Sequence, residues 1–244
     1  MIEIGLIEID LGPAHVVWSD RHGGISNAPY DSANLGATVG DDPGSVGTNR
    51  RRLAARLGLD DPDGWCWLRQ VHGTTVVIGD EHAGGVGAPE ADAAVTMTPG
   101  LPLAVLTADC APVALACDDA VAVAHAGWPG LLGGVLEATV ARLRSIGTGE
   151  VRAALGPCVH PARYEFGRAD LDRMIDGLGP NVEGRTDAGS LALDVPAAVR
   201  AALARVGVIA VEDVDVCTSA SLDHFSHRRD GITGRQGLVV VLGG

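Results

Sequence analysis

The chain has 244 residues, with 18 basic side chains against 31 acidic ones and a formal net charge of −13. At 46% hydrophobic and 20% charged residues it reads as globular, which excludes disordered and fibrous classes. Its acidity argues against nucleic-acid partners and against a polybasic membrane anchor.

In chain order, residues 2–10 and 14–18 read as strands. The first of them carries Glu3, Glu8 and Asp10 and no cationic stretch, so no signal peptide is expected. Residues 22–42 form a polar, Gly-rich loop too long for a plain connection, and a functional role is expected. Asp42 and Pro43 supply an N-cap and a first helical position, opening a helix that ends near Gly58. Residues 65–71 and 74–78 read as a strand pair around His72-Gly73. Four more strands follow at 91–97, 101–107, 111–117 and 120–125, with Pro99-Gly100 and Asp118-Asp119 as turns. One helix is predicted from near Pro129 to Gly147, then a strand at 151–156 and helices at 168–179 and 196–207. Strands at 211–219 and 237–244 close the chain.

The longest apolar stretch, 101–127, is interrupted by Asp109, Asp118 and Asp119, so no transmembrane helix is expected. Five widely spaced cysteines, an odd number, read as free thiols in a cytoplasmic protein. The order of elements gives an α/β or α+β class and one domain over 1–244.

Every basic side chain is an arginine. Lysine Schiff bases, phosphate-loop lysines and general-base lysines are therefore excluded. Three ligand-type residues follow apolar strands: His72, Cys110 and His125. Two histidines and a cysteine make a catalytic Zn²⁺ set, with a fourth position for water or substrate. Spacings of 38 and 15 residues mean that only the fold could unite them. Cys110 and His125 could also form a thiol nucleophile and its base, with Asp109 orienting the imidazole. Beyond His125, Gly127 and further glycines lead into a helix whose N–H groups could face an anion. The Arg21 and Arg228 loops could add cations for an oxyanion. Arg50, Arg51 and Arg52 lie on a helix, with about one of them facing inward.

A resemblance enters through ordered blocks of sequence. They include Arg21-His-Gly-Gly-Ile-Ser, Ala33-Asn-Leu-Gly, Gln70-Val-His-Gly, Glu90-Ala-Asp-Ala, Thr107-Ala-Asp-Cys-Ala-Pro-Val, His125-Ala-Gly-Trp and Arg228-Arg-Asp-Gly-Ile-Thr-Gly-Arg. From about residue 19 to 240 the chain resembles the YfiH/LACC-type laccase-domain family. That family is associated with purine nucleoside phosphorylase activity and with the name peptidoglycan editing factor.

The resemblance implies a single layered domain, with mixed β-sheets in a sandwich flanked by helices, distantly like the deamidating toxin cysteine hydrolases. It implies Zn²⁺ on His72, Cys110 and His125, with Cu²⁺ possible at the same site. The implied activity is phosphorolysis of adenosine, inosine and methylthioadenosine, with adenosine deamination as a side activity. Arg21, Asn34, Gln70, Gly127 and Arg228 are the expected substrate-binding positions, and Asp109 a proton shuttle. Phosphate is expected near the metal, against the helix at Pro129 and an arginine of the Arg21 or Arg228 loop. Pro129 stands where the family usually has arginine, which implies weak phosphate binding. Eight histidines without a His-X-His pair do not suit a trinuclear copper cluster. A copper-dependent polyphenol oxidase and a cysteine or zinc amidase acting on peptidoglycan precursors are the alternatives, and a non-enzymatic zinc staple is a third. Partners are nucleosides and phosphate, with no nucleic acid or membrane; the protein is expected as a monomer or homodimer.

Overall fold

The computed structural model describes residues 3–84 and 87–243; Ile2 and Gly244, the outer ends of two predicted strands, lie outside them. The first hairpin pairs β1 (Leu6–Leu11) with β2 (Ala14–Ser19). Residues 22–42 contain no helix or strand, as the sequence predicts. Helix α1 (Pro43–Leu57) starts where expected because the Asp42 carboxylate accepts the Ser45 N–H. It ends where Gly58 takes φ 64°.

The next segment departs from the predicted strand pair. Strand β3 is only Cys66–Trp67 and pairs with β6 (Leu103–Thr107), while β4 (Val76–Ile78) pairs with β5 (Ala93–Thr96) in a different sheet. Residues 68–75 therefore cross from one sheet to the other. Beyond β3, the Gln70 side chain takes over the ladder. Its amide donates to the Leu106 carbonyl at 2.7 Å and accepts the Leu106 N–H at 2.8 Å.

Strands β7 (Ala111–Ala116) and β8 (Val121–Ala126) follow as predicted. The predicted single helix is two: α2 (Trp128–Gly133) and α3 (Val135–Ile146). Gly134 separates them with φ 93°, a conformation that ends a helix rather than continuing it. Then come β9 (Arg152–Leu155), α4 (Arg168–Leu178), β10 (Glu183–Arg185), β11 (Leu191–Leu193) and α5 (Val195–Arg205). Strand β12 (Val211–Asp213), the short α6 (His227–Asp230) and β13 (Gln236–Leu242) complete the chain. The β10–β11 hairpin and α6 carry no apolar period long enough to read from sequence.

One sheet has the order β1-β2-β13-β6-β3 and the other β12-β9-β7-β8-β5-β4, each mixed parallel and antiparallel. Strand period 2 sorts the core into layers. Val121 and Val123 of β8 meet Leu103, Val105, Leu238 and Val240 between the sheets. Ala122, Ala124 and Ala126 face α2 to α5 through Leu131, Val140, Met174 and Val199. Outside the other sheet, Val239 and Ala104 pack on Leu53 and Ala54 of α1. Strands buried on both faces explain the continuous apolar runs in the sequence. The α/β class and the helix-flanked mixed sheets match expectation.

Candidate metal centre and its two cavities

His125 lies on β8 with the parity of Val121 and Val123, at the rim of the layer between the sheets. Its Nδ1 lies 2.8 Å from an Asp92 carboxylate oxygen. Asp92 has no solvent exposure, and it also accepts the backbone N–H groups of Val71, His72 and Gly73 at 3.2, 2.9 and 2.7 Å. That cradle holds the sheet-to-sheet crossover, and with it His72, whose φ is 60°. One buried carboxylate thus sets both histidines. The sequence reading gave Asp92 no role; the available signal was a carboxylate opening the apolar run Ala93–Val95.

Cys110 stands in the turn between β6 and β7, with Sγ 3.6 Å from His72 Nε2. The His72 and His125 rings meet edge-to-face at 4.7 Å. One donor atom from each of His72, Cys110 and His125 falls within 4.8 Å of the others. Donors held about 2.0–2.3 Å from one tetrahedral ion lie roughly 3.5 Å apart, so small side-chain shifts suffice to hold a metal. With Nδ1 turned to Asp92, His125 presents Nε2, the arrangement that orients a metal-binding histidine. Gly127 makes the approach possible: a Cβ there would fall on the His72 ring edge, 3.2 Å from Nε2 and 3.3 Å from Cys110 Sγ.

The electrostatics suit the donor set. Burial alone would raise the Cys110 thiol, but the His125 charge and hydrogen bonds from both histidines hold it below its ordinary value. Burial alone would lower the His125 imidazole, and the Cys110 charge together with Asp92 raises it instead. The two shifts support one another, favouring the thiolate on Cys110 and the imidazolium on His125.

Two cavities meet at His72 and Cys110. The larger, about 960 Å³, runs from Arg50 of α1 along Trp67, Leu106 and Arg235 to His72, Cys110 and His125. The smaller, about 450 Å³, is bounded by His72, Cys110, Trp128, Tyr164 and Arg228. His227, absent from the expected site residues, borders both. Its Nδ1–H donates to the Gly231 carbonyl at 2.6 Å, leaving Nε2 for a ligand.

The other expected positions divide. Arg228 does face a cavity: its guanidinium lies 4.7 Å over the Tyr164 ring. Asp109 is buried beside it, and its oxygens accept the Thr218 hydroxyl and the Arg228 N–H, both at 2.6 Å. Gln70 borders the larger cavity, though its amide is bound to Leu106. Arg21 and Asn34 line neither cavity. Arg21 stacks 4.7 Å over Phe225 and pairs with Asp31 and Asp230. Asn34 is buried and accepts the Gly36 and Arg235 N–H groups, each at 2.9 Å. Arg50 is the inward-turned member of its arginine run, 3.8 Å over the Trp67 ring.

The family model described as multi-copper polyphenol oxidoreductase laccase matches residues 15–243. The chain belongs to this family. A protein of Streptomyces coelicolor named purine nucleoside phosphorylase is 45% identical over 226 residues, 91% of this chain and 93% of the relative. The Escherichia coli relative named purine nucleoside phosphorylase YfiH is 39% identical over 236 residues, 92% of each. The crystal structure of a Neisseria meningitidis DUF152 protein has a TM-score of 0.88 at 36% identity, covering 98% of this chain and 99% of that one. No helix among the described residues is long and apolar enough to cross a membrane.

Proposed function

We propose that this protein is a metal-dependent purine nucleoside phosphorylase, with His72, Cys110 and His125 holding Zn²⁺. The observation that carries the reading is a donor trio opening onto a cavity of about 960 Å³, a size that suits a nucleoside together with phosphate. The names of the relatives support the same reading. A sulfur and two imidazoles favour Zn²⁺ over harder ions, and Cu²⁺ is the competitor such a site admits.

In phosphorolysis a phosphate oxygen forms a bond to C1′ of the ribose as the C1′–N9 bond breaks. The electron pair goes to the purine, which takes up a proton, and positive charge gathers on the sugar. When bound, the metal supplies Lewis-acid polarisation of an oxygen at its open position. The chain's own residues position the reactants: Asp92 fixes His125 and the His72 turn, and Gly127 leaves room for the ring. Gln70 shapes the wall through Leu106, while Asn34 and Arg21 support the loops behind it. Asp109 positions Arg228 through its backbone. His227, which borders both cavities with Nε2 unengaged, would contact the leaving base or the ribose. Adenosine deamination would use the same cavity, with water attacking C6 and ammonia leaving. Free thiols throughout the described residues suit a reducing, cytoplasmic setting.

One observation favours a second reading. The depressed Cys110 thiol beside His125 is the pair that a cysteine amidase would use. The deciding experiment incubates pure protein with adenosine, inosine or methylthioadenosine and phosphate, and separates products by chromatography. Free base and ribose 1-phosphate are expected, with loss of turnover on chelation and recovery on adding Zn²⁺. No base release, or full activity after verified metal removal, overturns the proposal.

A further inference from the structure

The larger cavity has a charge pattern unlike the rest of the molecule. In a chain with 31 acidic residues, none of the described residues lining it is Asp or Glu, while Arg50, Arg69, Arg235 and three histidines are. Arg69 at its edge is paired with Glu90. Arg50 and Arg235 form no ion pair among the described residues, in contrast to Arg21 and to Arg229 of α6.

The two guanidinium groups are built into place. Arg50 Nε donates to the Leu35 carbonyl at 2.9 Å, and its plane is stacked on Trp67. The Arg235 stem lies against Gly36, where a Cβ would come 2.9 Å from its Cγ. Arg235 Nη1 donates to the Thr233 and Gly234 carbonyls at 3.0 and 2.8 Å. Residues 35–36 thus hold both side chains, and Asn34 fixes the Arg235 backbone. Each guanidinium keeps donors with no protein acceptor among the described residues: both Nη atoms of Arg50, and Nε and Nη2 of Arg235. Burial pushes Arg50 down to about 10, against an opposing pull from Asp63. Burial lowers Arg235 too, against an opposing pull from Cys110 and Asp109, and its side chain lines the same cavity as the trio. Partly desolvated cations without a counter-ion are costly unless an anion completes them.

We propose that Arg50 and Arg235 form an oxyanion subsite of the larger cavity, which takes a phosphoryl group beside the His72–Cys110–His125 trio. A guanidinium stacked on an aromatic ring leaves its in-plane N–H donors free, the geometry for bidentate contact with phosphate. The smaller cavity is a poorer host, because Arg228 shares it with the Asp109 carboxylate. Neither does α2 provide an alternative, being only 6 residues long. The phosphoryl group is either inorganic phosphate, the co-substrate of the proposed reaction, or the 5′-phosphate of a purine nucleotide. The assignment rests on the phosphorylase reading for its role but not for its test.

The test measures binding of inorganic phosphate and of adenosine 5′-monophosphate by calorimetry on metal-loaded protein. It compares Arg235→Met, Arg50→Met, Arg235→Lys and the surface control Arg144→Gln, with thermal melting to verify folding. Each methionine variant should weaken the true ligand about 10-fold or more, the worth of a charge-assisted hydrogen bond. Arg235→Lys should lose less, and Arg144→Gln nothing. Weakened phosphate binding identifies the free co-substrate, and a matching rise in phosphate KM with adenosine confirms it. Weakening confined to the monophosphate identifies a 5′-phosphorylated substrate. Unchanged affinity for both ligands in folded methionine variants overturns the subsite, even where phosphorolysis itself is observed. Absence of phosphorolysis with Arg-dependent phosphate binding leaves the subsite standing and removes the activity.

Discussion

His125 and His72 enter the same donor set by opposite routes. His125 is 3% exposed, fixed in the ladder of β8 against Pro112 and bound through Nδ1 to Asp92. His72 is exposed, lies outside any strand, and takes a positive φ that non-glycine residues adopt rarely. One imidazole is placed by the sheet and the other by a turn whose three N–H groups converge on the same carboxylate. Rigidity in a candidate metal site can therefore be borrowed: the loop histidine is held as the strand histidine is, because Asp92 serves both.

The largest effect that would break this pairing comes from Cys110, the donor both histidines face. Cys110→Ser should lose metal by more than the ~100-fold that removal of a supporting partner causes, because a hydroxyl is a poor replacement for a soft thiolate. Metal content after dialysis checks this, and a serine variant that keeps stoichiometric zinc refutes the donor set. Asp92→Asn comes next. It removes the charge that raises His125 while leaving one oxygen for the backbone N–H groups, so metal affinity should fall about 10–100-fold. Crystal structures of the variant should show the His72 turn displaced more than His125, which β8 still holds; an unmoved turn would show that Asp92 does not place His72.

The smallest effect is in protons. The metal-free pair holds one proton, because Cys110 is depressed and His125 raised. Near neutral pH, Zn²⁺ should displace that one proton, from His125. As pH falls through the lowered thiol value Cys110 becomes protonated, so the count should rise and affinity should fall more steeply. Calorimetry in buffers of different ionisation enthalpy reads the number. A count that stays constant as pH falls through that range would mean that Cys110 holds its proton already and that the two residues are weakly coupled.

Much of this molecule was legible in its sequence where the cause is local. The Asp42-Pro43 start and Gly58 stop of α1, the strands β5 to β9 and helices α4 and α5 follow from caps, apolar runs and helical period. His72, Cys110 and His125 were visible as ligand types beside apolar runs, although His125 lies within β8 and His72 in the crossover beyond β3. The β3–β4 strand pair was misread because two short apolar runs flanking a turn look alike whether they pair with each other or with different sheets. The Gly133-Gly134 break was visible, but only the left-handed conformation of Gly134 makes it a helix end.

The sequence by itself determined the layer-forming elements, because hydrophobic period and capping act over a few residues. Tertiary structure decided which polar residues meet. Asp92, Arg50 and Arg235 are ordinary surface types in a one-dimensional reading, and Arg21 and Asn34 look equally suited to a ligand. Sheet crossing and burial separate them: Asp92 becomes the hidden anchor of two histidines, and Arg21 and Asn34 turn to bracing loops. Arg50 and Arg235 are left as cations in a cavity without carboxylates. The physical reason is that desolvation and hydrogen-bond partnership belong to neighbours in space, which can lie as far apart along this chain as Asn34 and Arg235.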